Sequence, residues 1–244
     1  MTAVEICINA DDVQLLEANV TAAREGGAAR IELCADMQQQ GMTPSVSAMN
    51  KARHAFAAVP GLLVMIRLHA NDMIQQQADL KAMQLAISQA ADAGADGVVF
   101  GLLGPDRRLD LTHLELLVQQ AKQRQLQVTF HRVFDAIYDQ SAALNQLIEL
   151  GVDRVLSAGT LWGSDRGVVQ GLSTLQQLVL QAAGRIELVA GGGIHQHNLS
   201  AVLQALRPAG HCWSVHSYSA VLQQQRVDPL KVAAMVQLCQ QVHA

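Results

Sequence analysis

The chain has 244 residues, half of them hydrophobic but only 3% aromatic, and a formal net charge of −4. So small a charge supplies no field that would recruit nucleic acid or anionic lipid, which excludes both as expected partners. No run approaches the roughly 18 apolar residues of a membrane span, and the opening MTAVEICINA lacks a basic region before an apolar one, so a cytoplasmic protein is expected.

In chain order, short β-rich apolar runs fall at 4–8, 30–34, 62–67, 97–101, 127–132, 154–157, 187–190 and 213–216. Between them apolar residues recur near every 3.6 positions, most clearly at 78–93, 111–122, 144–150, 172–180 and 199–206, and 230–243 closes the chain. Gly26 with Gly27, Gly94, Gly151 and Gly184 stand where each helix should end and the chain must turn into the next strand. Eight such units without a Pro/Ser-rich linker predict one domain over 1–244, a (β/α)8 TIM barrel of the α/β class. The alternative, an open doubly wound sheet, would want GxGxxG after its first strand. Asn9-Ala10-Asp11-Asp12 stands there instead, so no nucleotide cofactor is recognised. The glutamine runs 38–40, 75–77 and 223–225 read as solvated loop or helix-entry segments.

Strand alternation then sorts side chains. Residues facing the helices have no water to solvate a charge, so charged strand residues should point into the barrel. In 4–8 this sends Val4, Ile6 and Ile8 outward and Glu5 and Cys7 inward; in 30–34 it sends Glu32 and Cys34 inward. The same parity puts Arg67, Thr129 with His131, and Ser214 with His216 inside. Arg67, His131 and His216 sit at C-terminal strand ends, where barrel active sites lie, and Asn9, Arg132 and Asp135 follow closely. Glu5 and Glu32 could equally serve to neutralise Arg30, Arg67 or Arg154 in a structural network. The thiols Cys7, Cys34, Cys212 and Cys239 form no CxxC pair, and for them buried, reduced core material is the alternative to metal ligation.

Two glycine-rich or polar turns complete the expected mouth. Gly191, Gly192 and Gly193 follow the seventh run, and the eighth leads into Ser217-Tyr218-Ser219. Loops in these two places often bind phosphate or carboxylate through backbone N–H groups, although three glycines also suit a plain tight turn.

The ordered motifs VEIC at 4–7, RIELC at 30–34, GMTPS at 41–45, VTFHRVFD at 128–135, LGVDRVLSAG at 150–159, VAGGGI at 189–194 and VHS at 215–217 resemble the CutC family from the first strand to the eighth. The resemblance implies a (β/α)8 barrel, a cytoplasmic homodimer and a role in copper homeostasis by copper binding or trafficking. It also implies that Glu5, Cys7, Glu32, Cys34, Arg67, His131, Arg132, Asp135, His216 and Ser217 are the residues that matter. Where many relatives have proline and glycines, this chain has Leu68-His69-Ala70-Asn71-Asp72, and the segment after His216 is short.

Two functions compete. Soft thiolates at Cys7 and Cys34 suit Cu(I), although a buried arginine such as Arg67 would disfavour a cation. The alternative is an enzyme acting on a small anionic or phosphorylated metabolite by proton transfer or hydrolysis. Arg67 and Arg132 would hold the anion, His131 or His216 would exchange protons, and Glu5 or Glu32 would orient them or act as the partner acid or base, with Asp135 a further catalytic candidate at the same mouth. Schiff-base chemistry is disfavoured because Lys51, Lys81, Lys122 and Lys231 all read as helical and solvated. A binding scaffold with a vestigial pocket is the third reading.

Overall fold

The structure, a computed structural model, describes residues 2–70, 79–210 and 212–241. The glutamine run 75–77, residues Asn71, Asp72 and Ala78, and the expected end of the last helix at His243 lie outside the described residues.

Eight parallel strands pair in sequence order: β1 (Ala3–Asn9), β2 (Arg30–Cys34), β3 (Leu62–Met65), β4 (Gly97–Phe100), β5 (Gln127–Phe130), β6 (Arg154–Ser157), β7 (Glu187–Ala190) and β8 (Trp213–Ser217). β8 pairs with β1, with Glu5 opposite His216, and this closes the barrel. The helices α1 (Val13–Glu25), α2 (Val46–Phe56), α3 (Leu80–Asp92), α4 (Leu111–Gln123), α5 (Gln140–Glu149), α6 (Leu172–Ala182), α7 (Gln196–Leu206) and α8 (Pro229–Gln241) follow the strands in turn. A two-residue hairpin, β9 (Leu222–Gln223) with β10 (Arg226–Val227), stands before α8, and the run 223–225 supplies its turn. No helix among the described residues is long and apolar enough to cross a membrane.

The connections follow from local chemistry. Asp12, Asp79, Asp110 and Asp139 each accept a hydrogen bond from a backbone N–H in the first turn of the helix they precede, which satisfies donors that the helix itself leaves unpaired. At the other ends Gly27, Gly94, Gly151 and Gly184 take positive φ values, as the punctuation of the sequence predicts.

The alternation of side chains divides the interior into two separate clusters. Val4, Ile6, Ile8, Ile31, Leu33, Val64, Val128, Phe130 and Val215 pack with the helices. Cys7, Cys34, Leu63, Met65 and Val99 pack together inside the barrel. Full burial of each large aliphatic side chain contributes about 1.5–3 kcal/mol, so register is pinned by the outer cluster. A slip of one residue would bring Glu5 and Glu32 into contact with helices.

Three strands end sooner than their apolar runs suggest, β4 by one residue at Phe100. β3 stops at Met65 because Arg67 turns away, its N–H donating to Thr43 Oγ1 at 2.7 Å and its carbonyl accepting from Thr43 N at 2.9 Å. β5 stops at Phe130 because His131 caps a 3-10 turn over Arg132–Ala136. Arg67 and His131 therefore belong to the loops of the mouth.

Candidate functional site

The deepest polar layer is an ion-pair network. Glu5 is 1% exposed and accepts from Arg30 Nε at 2.9 Å and from His216 Nδ1 at 2.9 Å. Arg30 also reaches Glu187 at 2.6 Å and the Ser214 hydroxyl at 2.6 Å. Burial would raise the Glu5 carboxyl, but the His216 hydrogen bond and the Arg30 charge prevail and hold it down at about 2. Glu5 is thus a permanent anion that locks His216 in place.

One step toward the mouth, Glu32 lies level with Cys7 across the β1–β2 pair. Its Oε2 is 3.5 Å from His216 Nε2, while its Oε1 is buried and has no hydrogen-bond partner among the described residues. Burial lifts the Glu32 carboxyl to about 8 against the opposing charge of His216. For His216, burial alone would favour the neutral ring; the Cys7 hydrogen bond and the charges of Glu32 and Glu5 raise it well above the usual value. The surroundings therefore favour the anion at Glu5 and the cation at His216, while burial works against the charged form of Glu32.

Beside this group lie the thiols. One sulfur from each of Cys7 and Cys34 and one oxygen of Glu32 lie within 4.8 Å of one another. The hydrogen bond with Cys34, set against burial, brings the Cys7 thiol down to about 6; the same bond and burial push Cys34 well up. Met37 follows β2 on a 3-10 turn (Met37–Gln39), and its sulfur stands 3.9 Å from Cys7 Sγ.

His131 differs from His216 in every respect. Its Nδ1 accepts from Val133 N–H at 3.4 Å, so the proton sits on Nε2, which is buried and without a partner among the described residues. Burial, then the positive charge of Arg67, brings the ring down to about 3. The imidazole lies against the backbone of Gly101, where a Cβ would come within 2.7 Å of Nδ1.

The remaining expected residues divide by what they touch. Arg67 donates to the carbonyls of Gln39 and Gly41, the latter at 3.0 Å, so its guanidinium holds the loop that carries Met37. Asp135 is fully buried; it accepts from Arg132 Nε at 3.1 Å, Ser157 Oγ at 2.5 Å and Ala158 N at 3.0 Å. It fixes Arg132, whose guanidinium lies 5.5 Å from the Trp162 ring centre. Ser217 Oγ donates to Ile194 O at 2.9 Å. Gly191 is confined by Leu156, and Gly192 by Ala158, with the position of a Gly192 Cβ only 3.7 Å from Arg132 Cζ. The Gly193 carbonyl accepts from Asn198 Nδ2 at 2.9 Å.

A cavity of about 340 Å³ joins Cys7, Glu32, Cys34, His131, Arg132 and His216. A second, of about 290 Å³, is lined by Gly192, Gly193 and Ser217 and shares Arg132 and His216 with the first. A roomier hollow of about 640 Å³ between Arg107 and Tyr138 lacks any comparable grouping, so chemistry, not volume, locates the site. Sequence reasoning missed Met37 and Trp162, which line the main cavity from loops, while Tyr218 lines it from the expected turn after β8. For Met37 a usable signal existed, a soft side chain three residues after Cys34 between the turn residues Asp36 and Gly41.

The CutC family pattern matches residues 2–217. A family protein CutC of Vibrio atlanticus is 36% identical over 211 residues, covering 86% of this chain and 81% of its own. The copper homeostasis protein cutC homologs of Mus musculus and Homo sapiens are each 38% identical over 200 residues, covering 82% of this chain and 68% of theirs. Among solved structures, one named for a copper homeostasis protein CutC of Streptococcus agalactiae superposes with a TM-score of 0.75 at 26% identity, covering 89% of this chain and 99% of that one. Tryptophan synthase subunit alpha of Legionella pneumophila, at 14% identity and a TM-score of 0.66 over 98% of this chain and 93% of its own, shares the barrel fold alone. By the span and identity of these matches, the chain belongs to the CutC family.

Proposed function

We propose that the barrel binds Cu(I) as cargo at Cys7 and Cys34, in keeping with the copper homeostasis names of its relatives. The observation that carries this reading is the approach of two thiol sulfurs and a Glu32 oxygen to within 4.8 Å at the wall of a cavity. Thiolates are the ligands that Cu(I) prefers. Anaerobic Cu(I) titration against a chromophoric chelator tests the site. The unchanged chain should retain one equivalent, and the Cys7→Ser/Cys34→Ser double variant should lose it. Equal affinity in both would sink the thiol site. The reading carries with it a cytoplasmic homodimer; light scattering that returned the 26.2 kDa of one chain would remove the dimer.

A second reading is favoured by a separate observation, His131 Nε2 and Glu32 Oε1 on the same cavity without partners among the described residues. A buried donor left unpaired costs about 1–3 kcal/mol, which a bound oxyanion would relieve. In this reading a small carboxylated or phosphorylated metabolite lies against Arg132 and the 191–193 turn, Glu32 is the acid, and His131 donates from Nε2. Thermal shifts with a panel of sugar phosphates and hydroxy acids should show a ligand that stabilises the unchanged chain more than His131→Ala. Identical shifts would take His131 out of the binding site, and no shift with any compound would end this reading.

A further inference from the structure

We infer that Met37 is a third ligand to Cu(I), so that the cargo site is one of three sulfurs. The inference rests on the copper reading above and extends it to a residue outside the paired cysteines. Its basis is a distance and a position. With a metal–sulfur bond of about 2.3 Å, the sulfurs of a trigonal site stand about 4.0 Å apart, whereas those of a linear pair stand about 4.6 Å apart. Met37 Sδ is 3.9 Å from Cys7 Sγ, the edge length of the trigonal arrangement. Cys7 and Cys34 pack in one cluster inside the barrel, and Met37 packs against that cluster from the loop side.

The loop is built to hold that sulfur. Asp36 takes φ 43, its backbone N–H donates to both Asp11 carboxylate oxygens at 2.9 and 3.0 Å, and its side chain accepts from Gln39 N at 3.3 Å. From the other side Arg67 grips the Gln39 and Gly41 carbonyls. Met37 is therefore fixed at both flanks while its own side chain remains partly exposed. It lines both the 340 Å³ cavity and a neighbouring one of about 600 Å³, and Cys7 lines both as well.

The chemistry explains why a methionine suits that place. A thioether is neutral, so a site with two thiolates and Met37 holds Cu(I) with a net charge of −1, against −2 for three thiolates. Thioethers favour Cu(I), while structural Zn(II) draws on thiolate, imidazole and carboxylate. Met37 should thus raise the affinity for Cu(I) without doing so for Zn(II).

The test uses the full chain grown with selenomethionine, loaded anaerobically with Cu(I), beside Met37→Leu and the Cys7→Ser/Cys34→Ser double variant, each first confirmed as folded by its thermal transition. Copper-edge X-ray absorption should show selenium next to copper in the unchanged chain and none in Met37→Leu, with the sulfur and selenium coordination falling from three to two. Chelator competition should show Cu(I) affinity reduced by about tenfold or more in Met37→Leu, with Zn(II) affinity unchanged. If copper keeps a selenium neighbour in Met37→Leu, or if its affinity there is unaltered while the double variant has lost it, Met37 is not a ligand and only this inference falls. If the double variant binds as the unchanged chain does, or the unchanged chain binds no Cu(I), the copper reading falls and takes Met37 with it.

Discussion

His216 and His131 line the same cavity, and both stand at the C-terminal end of a strand run, yet the barrel makes opposite things of them. His216 is clasped by Glu5 on one nitrogen and faces Glu32 with the other. His131 spends one nitrogen on the Val133 N–H, feels the charge of Arg67, and leaves the other nitrogen without a partner among the described residues. One ring is an ion held by ions; the other is a neutral donor. The residue type is the same, but His216 lies within β8 while His131 begins the loop after β5, and each meets different neighbours there. Those neighbours are Glu5 and Glu32 from β1 and β2 on one side, and Arg67 from the end of β3 on the other.

The largest way to break this contrast is to remove the anchor of the charged side. Glu5→Ala would leave His216 and Arg30 buried without their shared anion, and we expect a loss of about 3–5 kcal/mol in urea unfolding. A loss below about 1 kcal/mol would show that Glu187 and Glu32 suffice to hold both cations. The next largest effect is in pH. Because the folded His131 titrates near 3 and an unfolded histidine near 6.5, the unfolded chain binds the extra proton between those values. Stability therefore falls as pH drops below 6.5, by about 2 kcal/mol at pH 5 for this group. His216 has the opposite sign: its raised value adds stability that is present below about 6.5 and lost as pH rises through the folded value. Urea midpoints across pH should show His131→Asn flattening the acid limb and His216→Asn the alkaline one; the same change in both would contradict the contrast. The smallest effect is on Arg132. Trp162→Leu removes the ring beneath its guanidinium, and a cost of about 0.5–1 kcal/mol is expected. A wholly neutral result would leave Asp135 as the residue that fixes Arg132.

Much of this arrangement was legible because alternation is a strict code. Once Val4, Ile6 and Ile8 are assigned to the helices, Glu5 and Cys7 can only face inward, and RIELC repeats the logic. The same code places His216 beside Ser214. Legibility stops where strands stop. Arg67 has the parity of an interior residue, but its guanidinium direction is set by the carbonyls of Gln39 and Gly41, which belong to a different βα loop and carry no periodic signal. Met37 lies within ADMQQQG, a largely polar stretch without periodicity, so only its soft side chain beside the turn residues Asp36 and Gly41 marks it. Glu5 likewise answers to both of the roles open to it from sequence, since it pairs with Arg30 and also orients His216. Alternation gives a residue its side of the wall, while its partner is chosen by three-dimensional register.

The pairing of Glu5 with His216 spans 211 positions of sequence, and it has a temporal meaning. Cys7, Cys34, Glu5 and Glu32 come from the neighbouring strands β1 and β2, whereas the imidazolium that answers those two acids arrives only with β8. Until the last strand docks, Arg30 can answer Glu5, but the imidazolium that also faces Glu32 is missing. Completion of the barrel and completion of the charge pattern are then a single event, so a chain stalled short of β8 would be chemically unfinished as well as structurally open.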